Sequence, residues 1–326
     1  MRLAIATVLL AALAALASAC SAVPATTPNI SGSAIPPRPV DATELSAPPS
    51  TAPRQTPTCD ATASLRPSGP LPPALQMPAG TTMEKIQARG RLIAGVDQNT
   101  YLMGFRNSFS GEIEGFDVDM ARKVAEAIFG DPTKIQFKVL TSDERIPALE
   151  RGDVDIVVRT MTITCERLQK VNFSTVYYQA GQRVLVPRSS PINGIGSLGG
   201  KKVCATKGST SLSNVANAPS KPTAVAVPDW TDCLVMLQQN QVDAISTDDT
   251  ILAGLAAQDP YTAVVGDRFT QEPYGMAMPK QNVDFVRFVN AVLERMRADG
   301  SWTALHRRWL ATLGSAPTPP PARYQD

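Results

Sequence analysis

Short β-branched and apolar runs alternate with amphipathic stretches between residues 81 and 314. The run Arg91–Val96 predicts a strand, and Asp117 predicts the N-cap of a helix that ends at Gly130. Further strands are predicted at Ile135–Leu140, Val154–Val158, Arg183–Val186, Lys202–Ala205, Thr223–Val227 and Ala244–Thr247. Strands that alternate with helices in this way predict an α/β fold with mainly parallel sheets.

The last part of this region is predicted to be helical, because apolar residues recur at three- and four-residue spacing on both sides of Gly300. These positions are expected to be core: Phe285, Phe288, Val289, Val292, Leu293, Met296, Trp302, Leu305, Trp309 and Leu310. The periodicity does not decide whether the strands form one sheet or two.

The chain begins with a basic residue and an apolar run from Leu3 to Ala19, which is typical of a secretory signal peptide at residues 1–19. The string Leu16-Ala17-Ser18-Ala19-Cys20 resembles the lipobox at which bacterial lipoproteins are cleaved and acylated. This resemblance implies an exported protein, anchored by lipid on Cys20 to the outer face of the cell membrane. An ordinary cleaved signal, with Cys20 incidental, is the alternative.

Proline is concentrated near the N-terminus, where residues 22–80 hold 14 of the 28 prolines. This segment is also rich in Ser, Thr and Ala and nearly balanced in charge, so it cannot bury enough apolar surface to offset chain entropy. We therefore expect residues 20–80 to be a disordered stalk and residues 315–326 to be a disordered tail.

Charge and histidine content exclude several classes of function. Lys and Arg total 31 against 29 Asp and Glu, so no global field attracts nucleic acid, and we expect none as a partner. His306 is the single histidine, which excludes a Ser-His-Asp triad and a multi-histidine metal site. The glycine-rich stretch 194–202 lacks the Ser or Thr that follows the lysine of a phosphate loop. We expect no metal, no cofactor and no enzymatic activity.

Four cysteines remain besides Cys20, an even number in a chain that is expected to be exported. This predicts two disulfides, with three possible connectivities. We favour Cys204–Cys233, which would join a strand to a nearby helix. The second favoured pair, Cys59–Cys165, would fix the end of the stalk to the folded region.

A series of short motifs occurs in order along the folded region. They are Gly115-Phe116-Asp117-Val118-Asp119, Arg145-Ile146-Pro147-Ala148-Leu149, Gly152-Asp153-Val154-Asp155, Thr160-Met161-Thr162-Ile163-Thr164 with Glu166-Arg167, Val171-Asn172-Phe173-Ser174, Lys207-Gly208-Ser209-Thr210-Ser211, Val242-Asp243-Ala244 with Asp248-Asp249-Thr250, Gly275-Met276-Ala277, and Gly300-Ser301-Trp302. In this order and spacing the chain resembles the polar amino-acid solute-binding proteins of ABC importers. The stalk, the lipobox and Cys165 resemble the actinobacterial glutamine/glutamate-binding lipoproteins in particular.

The resemblance implies a two-lobed, periplasmic-binding-protein-like (type II) fold in which two hinge strands join two α/β lobes. Lobe 1 would comprise residues 81–183 and 276–314, and lobe 2 residues 184–275. The crossings are then expected near Gln182–Val186 and Tyr274–Met278. The implied partners are an amino-acid ligand, the permease subunits of an ABC importer and, as a further possibility, a membrane signalling partner.

The resemblance also assigns residues to the ligand's main-chain groups. Arg167 matches the arginine that clamps the α-carboxylate, and Thr210 matches a lobe 2 position that reaches the same group. Asp249 matches the acid that pairs with the α-ammonium, with the Thr160 carbonyl and the Thr162 hydroxyl as further acceptors. The alternative is that Asp249, or its neighbour Asp248, caps the helix that follows; one of the two could cap while the other binds.

The residues for the ligand side chain are less sharply defined. Ser142 and Arg145 match positions that bind the distal carboxylate in binders of acidic amino acids, but they could equally be a helix cap and a surface arginine. Arg159 could serve an acidic side chain, whereas Asp97 would oppose one unless it pairs with an arginine. Trp230 and Tyr101 are candidate walls of the pocket, or simple packing residues.

We therefore predict a membrane-tethered receptor that closes on glutamate, glutamine, aspartate or asparagine, either for import or for nutrient sensing. The sequence does not rank these ligands, because one rearranged hydrogen bond decides between an acid and its amide. The alternative function is an exported enzyme on the same fold, of the cyclohexadienyl or arogenate dehydratase type. Asp97 or Asp249 would then act as acid or base.

Overall fold

Two sheets, each flanked by helices, contain most of the strands. The computed structural model describes residues 37–45 and 58–326, and Arg38–Asp326 form one compact unit. The predicted signal peptide and Cys20 lie outside the described residues. Within the described residues, no helix combines the length and the apolar character needed to cross a bilayer.

The strands alternate with helices along most of the described chain, which confirms the predicted α/β class. The strands are β1 Thr43–Glu44, β2 Leu92–Val96, β3 Asn99–Thr100, β4 Gly104–Arg106, β5 Ile113–Glu114, β6 Ile135–Val139, β7 Ile156–Val157, β8 Val171–Phe173, β9 Tyr178–Ala180, β10 Gln182–Pro187, β11 Lys202–Thr206, β12 Thr223–Val227, β13 Ala244–Asp248, β14 Thr262–Val265, β15 Glu272–Tyr274 and β16 Ala277–Pro279. The helices are α1 Thr82–Arg89, α2 Phe116–Phe129, α3 Arg145–Glu150, α4 Cys165–Leu168, α5 Thr210–Ala216, α6 Trp230–Gln238, α7 Asp249–Gln258, α8 Val283–Ala298 and α9 Ser301–Trp309.

The sheet of lobe 1 has the strand order β6-β2-β7-β16-β8. Strand β2 pairs in parallel with β6 and with β7, whereas β16 pairs antiparallel with β7 and β8. Because β16 follows lobe 2 in the sequence, lobe 1 is built from two separate segments of the chain. Helices α2, α8 and α9 bury their apolar faces in its core, which confirms the predicted C-terminal stripe.

The sheet of lobe 2 has the strand order β1-β12-β11-β13-β10-β14. Its central strands β12, β11 and β13 are parallel, as the alternating pattern predicts, and β10, β14 and β1 are antiparallel to their neighbours. The two lobes therefore have separate sheets.

The crossings between the lobes are β9 and β15, which pair antiparallel as a two-stranded ribbon. Strand β15 ends at Tyr274, the first residue of the predicted second crossing. The first crossing lies a few residues before the predicted Gln182–Val186, because Gln182 already belongs to lobe 2. Its side chain is buried and donates to the Ser211 carbonyl at 3.2 Å and to Ser246 at 2.9 Å.

Asp117 does not cap α2, contrary to the sequence prediction. The N-cap is Gly115, whose φ is +133°, and a Cβ there would lie 2.3 Å from the Met103 carbonyl oxygen. Asp117 is instead buried in the first turn, where it accepts hydrogen bonds from the Thr160 amide and the Tyr177 hydroxyl, each at 2.7 Å. This carboxyl therefore braces the loop that carries Thr160, whose φ is +38°.

Two parts of the predicted disordered stalk are folded. Residues 58–80 pack on lobe 1, where the buried Ser64 donates to the Phe173 carbonyl at 2.7 Å. Strand β1 pairs with β12 at the edge of lobe 2, and Glu44 accepts a hydrogen bond from Lys202 at 2.7 Å. Proline lowers the entropy of the unfolded chain, so a proline-rich segment needs fewer contacts to become ordered than its composition suggests.

The predicted disordered tail is also folded against lobe 1. Tyr324 forms a bridge with Ser64 and donates its hydroxyl to Glu294 at 2.6 Å. Asp326 accepts the Arg66 amide at 2.8 Å and pairs with Arg287 at 2.6 Å. The contacts with Ser64 and Arg66 join segments more than two hundred residues apart, so they leave no local signal in the sequence.

Both favoured disulfides are present. Cys204–Cys233 joins β11 to α6 with a Cα–Cα distance of 5.5 Å. Cys59–Cys165 joins the folded end of the stalk to the first residue of α4, with a Cα–Cα distance of 5.7 Å. The second bond closes a loop between positions 106 residues apart.

Replacing Cys59 and Cys165 together with alanine is expected to lower the free energy of unfolding by about 2–5 kcal/mol, because the bond closes a long loop in the unfolded chain. Urea unfolding followed by tryptophan fluorescence measures the change. The single variant Cys59→Ala under reducing conditions is the control, since it should match the reduced wild type. A double variant as stable as the oxidised wild type would contradict the account.

Candidate functional site

A small cavity lies between the two lobes. It is lined by Ser142, Arg145, Thr160, Arg167, Ser209, Thr210, Ser211, Trp230, Thr247, Asp248 and Ile251. The predicted ligand residues Ser142, Arg145, Thr160, Arg167, Thr210 and Trp230 are therefore brought together. Thr162 adjoins them, with its hydroxyl oxygen 3.4 Å from that of Thr210 across the lobe boundary.

Two arginines of lobe 1 reach across to lobe 2. The guanidinium groups of Arg145 and Arg167 donate to the same carbonyl, that of Gly208, at 3.2 Å and 3.0 Å. Arg145 also donates to the Ser142 carbonyl at 2.8 Å, and Arg167 to the Thr162 carbonyl at 2.6 Å. These bonds show that the lobes are closed on each other.

Neither arginine has a carboxylate partner within ion-pair distance among the described residues. Carbonyl oxygens satisfy their N–H groups but do not neutralise their charge. Burial lowers the pKa of Arg145 well below its usual value, and burial also lowers the pKa of Arg167. Both shifts express the cost of removing a cation from water, so this part of the cleft attracts an anion.

Asp248 faces the cavity, whereas Asp249 does not. Asp248 is buried; one of its oxygens accepts the Tyr274 hydroxyl at 2.6 Å and the other, Oδ1, has no hydrogen-bond partner. Burial, reinforced by the negative charge of Glu272, raises its pKa to about 8. An unpartnered carboxyl oxygen next to the cavity is an acceptor available to a cation.

Asp249, which the resemblance matched to the acid that pairs with the ammonium, does not line this cavity. It forms an ion pair with Arg268, whose Nε lies 2.6 Å from Oδ2, and its Oδ1 accepts the Thr250 amide at 3.0 Å. Asp248 occupies the N-cap position of α7 without a side-chain capping bond. The two neighbours thus have separate contacts, and the one that lines the cavity is Asp248.

Asp97 and Arg159 form a buried ion pair within lobe 1, with Arg159 Nη2 2.8 Å from Asp97 Oδ2. Arg159 also donates to the Leu140 carbonyl at 2.6 Å and to the Ser142 hydroxyl at 2.7 Å. Asp97 accepts the Thr100 hydroxyl at 2.6 Å and two backbone amides. Asp97 thus pairs with an arginine, which is the case in which it was not expected to oppose an acidic side chain. Neither side chain lines the cavity.

The predicted wall residues have different positions. Trp230 is the first residue of α6 and lines the cavity. Tyr101 does not line it; its ring packs on that of Phe105 at 4.8 Å between centroids and is 38% exposed. Ser142 does line the cavity, and its hydroxyl also accepts that of Thr206 from lobe 2 at 3.2 Å.

Glu272 is a residue of the site that the sequence analysis missed. It is the first residue of the hinge strand β15, it is buried, and one of its oxygens accepts the hydroxyls of Thr162 at 2.6 Å and Thr210 at 2.9 Å. The only local signal is a charged residue before Pro273, which is equally typical of a surface turn.

The model of the bacterial extracellular solute-binding proteins, family 3, matches residues 92–312 of the chain. The chain belongs to this family. The "ABC transporter glutamine-binding protein GlnH" of Bacillus subtilis is 40% identical over 230 residues, which cover 70% of this chain and 84% of the relative. The "Glutamine-binding protein" of Geobacillus stearothermophilus is 41% identical, with coverage of 64% of this chain and 80% of the relative.

More distant relatives have other names. The "Glutamate-binding protein GluB" of Corynebacterium glutamicum is 32% identical over 216 residues. The matched residues cover 62% of this chain and 72% of the relative. The solved structure of an ancestral arginine-binding protein bound to glutamine has a TM-score of 0.64 and 33% identity, with coverage of 68% of this chain and 98% of that one. The predicted two-lobed fold is therefore confirmed, and with it an amino-acid solute-binding protein of ABC transport.

Replacing Asp97 with asparagine is expected to lower the free energy of unfolding by about 3–5 kcal/mol, because the Arg159 guanidinium would be left buried without its counter-charge. Asp243→Asn is the matched control. Asp243 pairs with Lys201 at 3.5 Å on the surface, so this change should cost no more than about 1 kcal/mol. Equal losses in denaturant titrations of the two variants would show that the Asp97–Arg159 pair has no special structural role.

Proposed function

We propose that this protein captures L-glutamine in the interlobe cleft for an ABC importer. The observation that carries the proposal is the charge arrangement at the cavity. Arg167, which has no ion-pair partner among the described residues, and Asp248, whose Oδ1 has no hydrogen-bond partner, complement the α-carboxylate and the α-ammonium of a zwitterion. Arg145 is then left for the side chain of the ligand. The two relatives that are 40% and 41% identical and are named for glutamine support the choice of amino acid.

The main-chain groups of the ligand fit the two ends of this arrangement. The α-carboxylate would replace the Gly208 carbonyl as the acceptor for Arg167, which can offer two parallel charge-assisted hydrogen bonds. The amides of the Ser209–Ser211 turn would add donors from lobe 2. The α-ammonium would donate to Asp248 Oδ1 and to the Thr162 hydroxyl.

The distal group would meet Ser142, Arg145 and the ring of Trp230. Because Asp97 neutralises Arg159, a single cation remains near this end of the cavity. A side-chain amide can accept from Arg145 with its oxygen and donate to the carbonyls nearby with its nitrogen. A carboxylate in the same place would pair with Arg145, so the choice of glutamine over glutamate rests on the two relatives named for glutamine.

Closure follows from the same contacts, since the proposed ligand bridges residues of both lobes. A ligand that binds the closed arrangement more tightly shifts the open–closed equilibrium toward it. The closed receptor, exported and anchored through Cys20, would deliver the amino acid to the permease or report it to a membrane partner. The pairing of Asp97 with Arg159 and of Asp249 with Arg268 leaves neither acid free for catalysis, which supports a receptor rather than a dehydratase.

Isothermal titration of the purified protein against all twenty amino acids tests the proposal, after bound ligand has been removed by unfolding and refolding. We expect micromolar or tighter binding of L-glutamine and weaker binding of L-glutamate. Tighter binding of an amino acid with an apolar or cationic side chain would overturn the proposed ligand. No binding at all by the refolded protein would overturn the proposed function.

Arg167→Ala should weaken L-glutamine binding by about 30-fold or more, because it would leave a buried carboxylate without its partner, at a cost of about 2 kcal/mol or more. Arg307→Ala is the control, since Arg307 lies exposed on α9. An affinity within about threefold of the wild type for Arg167→Ala would mean that the carboxylate binds elsewhere.

The raised pKa of Asp248, about 8, predicts proton release when the ligand binds. Below that pH the empty site holds a proton on Asp248, and the ammonium can pair only after this proton leaves. Affinity should therefore rise with pH by up to about tenfold per unit between pH 6 and 8 and then level off.

Titration at pH 7 in two buffers of different ionisation enthalpy measures the released proton directly. Asp248→Asn should abolish the release and weaken binding, whereas Asp249→Asn should retain the release. The opposite behaviour of the two variants would return the ammonium to Asp249.

A further inference from the structure

Glu272 connects both lobes to the hinge. It lies in β15, which belongs to neither lobe's sheet, and its side chain is 3% exposed. Its Oε2 accepts the hydroxyls of Thr162 in lobe 1 at 2.6 Å and of Thr210 in lobe 2 at 2.9 Å. Its Oε1 accepts the side-chain amide of Asn214 at 3.2 Å. Every described contact of this carboxylate is thus with a donor.

These bonds fix the direction of two hydroxyl groups. A threonine hydroxyl has one proton and two lone pairs. Thr162 and Thr210 both donate their hydroxyl protons to Glu272. Only the lone pairs of these hydroxyl oxygens are therefore available to a ligand. Neither hydroxyl can then donate to a ligand carboxylate, and both can accept from a ligand cation.

The charges around Glu272 support the same assignment. The titratable groups that act on Arg167 and Asp248 beside Glu272 are Arg145, Glu166, Asp249 and Tyr274, and Arg167 and Asp248 belong to the same group of charges. Burial and, after it, the negative charge of Glu272 raise the pKa of Asp248, so a cation placed near these two carboxyl groups is favoured. Burial lowers the pKa of Arg167, and the negative charge of Glu272 partly offsets this effect.

We propose that Glu272 is a positioning residue for the α-ammonium of the ligand. It holds the hydroxyls of Thr162 and Thr210 as acceptors and adds negative charge beside Asp248, so that the ammonium end of the amino acid turns toward the hinge. The inference rests on the proposed function and adds to it a residue outside the cavity lining that sets the ligand's orientation.

The test compares L-glutamine with its α-hydroxy analogue, in which a hydroxyl replaces the ammonium, for the wild type and Glu272→Gln. Glutamine at this position keeps the size of the side chain and removes its charge. We expect the variant to lose about tenfold or more in affinity for L-glutamine and little for the hydroxy analogue. An equal loss for both ligands would indicate a merely structural role and would overturn the inference.

Proton release gives a second readout that does not depend on the analogue. Without the charge of Glu272, Asp248 should ionise at lower pH, so Glu272→Gln should release fewer protons at pH 7 and reach its affinity plateau at lower pH. An unchanged pH profile would contradict the proposal. Wild-type protein that binds no amino acid would instead contradict the proposed function, so the two failures are distinguishable.

A variant that leaves the carboxylate in place covers the case in which Glu272→Gln does not fold. Thr162→Val removes one acceptor and keeps the charge and the other donors of Glu272. It should weaken L-glutamine binding more than binding of the hydroxy analogue. Glu84→Gln, in α1 and outside the cleft, is the matched control for carboxylate removal and should leave both affinities unchanged. Equal effects of Thr162→Val on the two ligands would speak against the assigned hydroxyl direction.

Discussion

The closed cleft depends on two guanidinium groups, the buried one of Arg145 and the half-buried one of Arg167, that form no ion pair with a carboxylate of the described residues. Arg145 and Arg167 are held by carbonyl oxygens, and both direct an N–H group to the one carbonyl of Gly208. Dipoles of this kind compensate only part of the cost of removing a cation from water. The two guanidinium groups therefore keep positive charge between the lobes that the carbonyl groups do not neutralise. In the proposed function a ligand carboxylate neutralises this charge, so binding and closure are coupled.

Two other buried acids, Asp97 and Asp249, form ion pairs, and these pairs support the structure around the cleft. Asp97 pairs with Arg159 inside lobe 1, and Asp249 pairs with Arg268 on the far side of the hinge. Each pair fixes the end of a strand or the start of a helix next to the cleft without lining the cavity. Because these charges are satisfied within the protein, they do not compete for the ligand. The charges that remain available are the ones that a zwitterionic amino acid can match.

The sequence predicted the fold class, both disulfides and most of the cavity lining, because these depend on periodicity, cysteine number and ordered motifs. It could not decide between Asp248 and Asp249. They are the last residue of β13 and the first of α7, where successive side chains point to opposite sides, so the choice depends on a one-residue register. The folding of parts of the stalk and of the tail was not predicted, for another reason. Composition reports the entropy of a segment, but not distant partners such as Phe173 for Ser64 or Glu294 for Tyr324.

Glu272 shows why a hinge is a useful place for a residue that orients a ligand. A group within one lobe keeps its neighbours whether the cleft is open or closed. A group on β15 can hold hydroxyls from both lobes only when the lobes have come together, because Thr162 and Thr210 belong to different lobes. On this argument the two hydroxyls acquire a common direction only upon closure, so the closed state is the one that distinguishes an ammonium from a hydroxyl. On the proposed function, the protein then distinguishes an ammonium from a hydroxyl in the same closing step in which the ligand carboxylate meets the guanidinium groups.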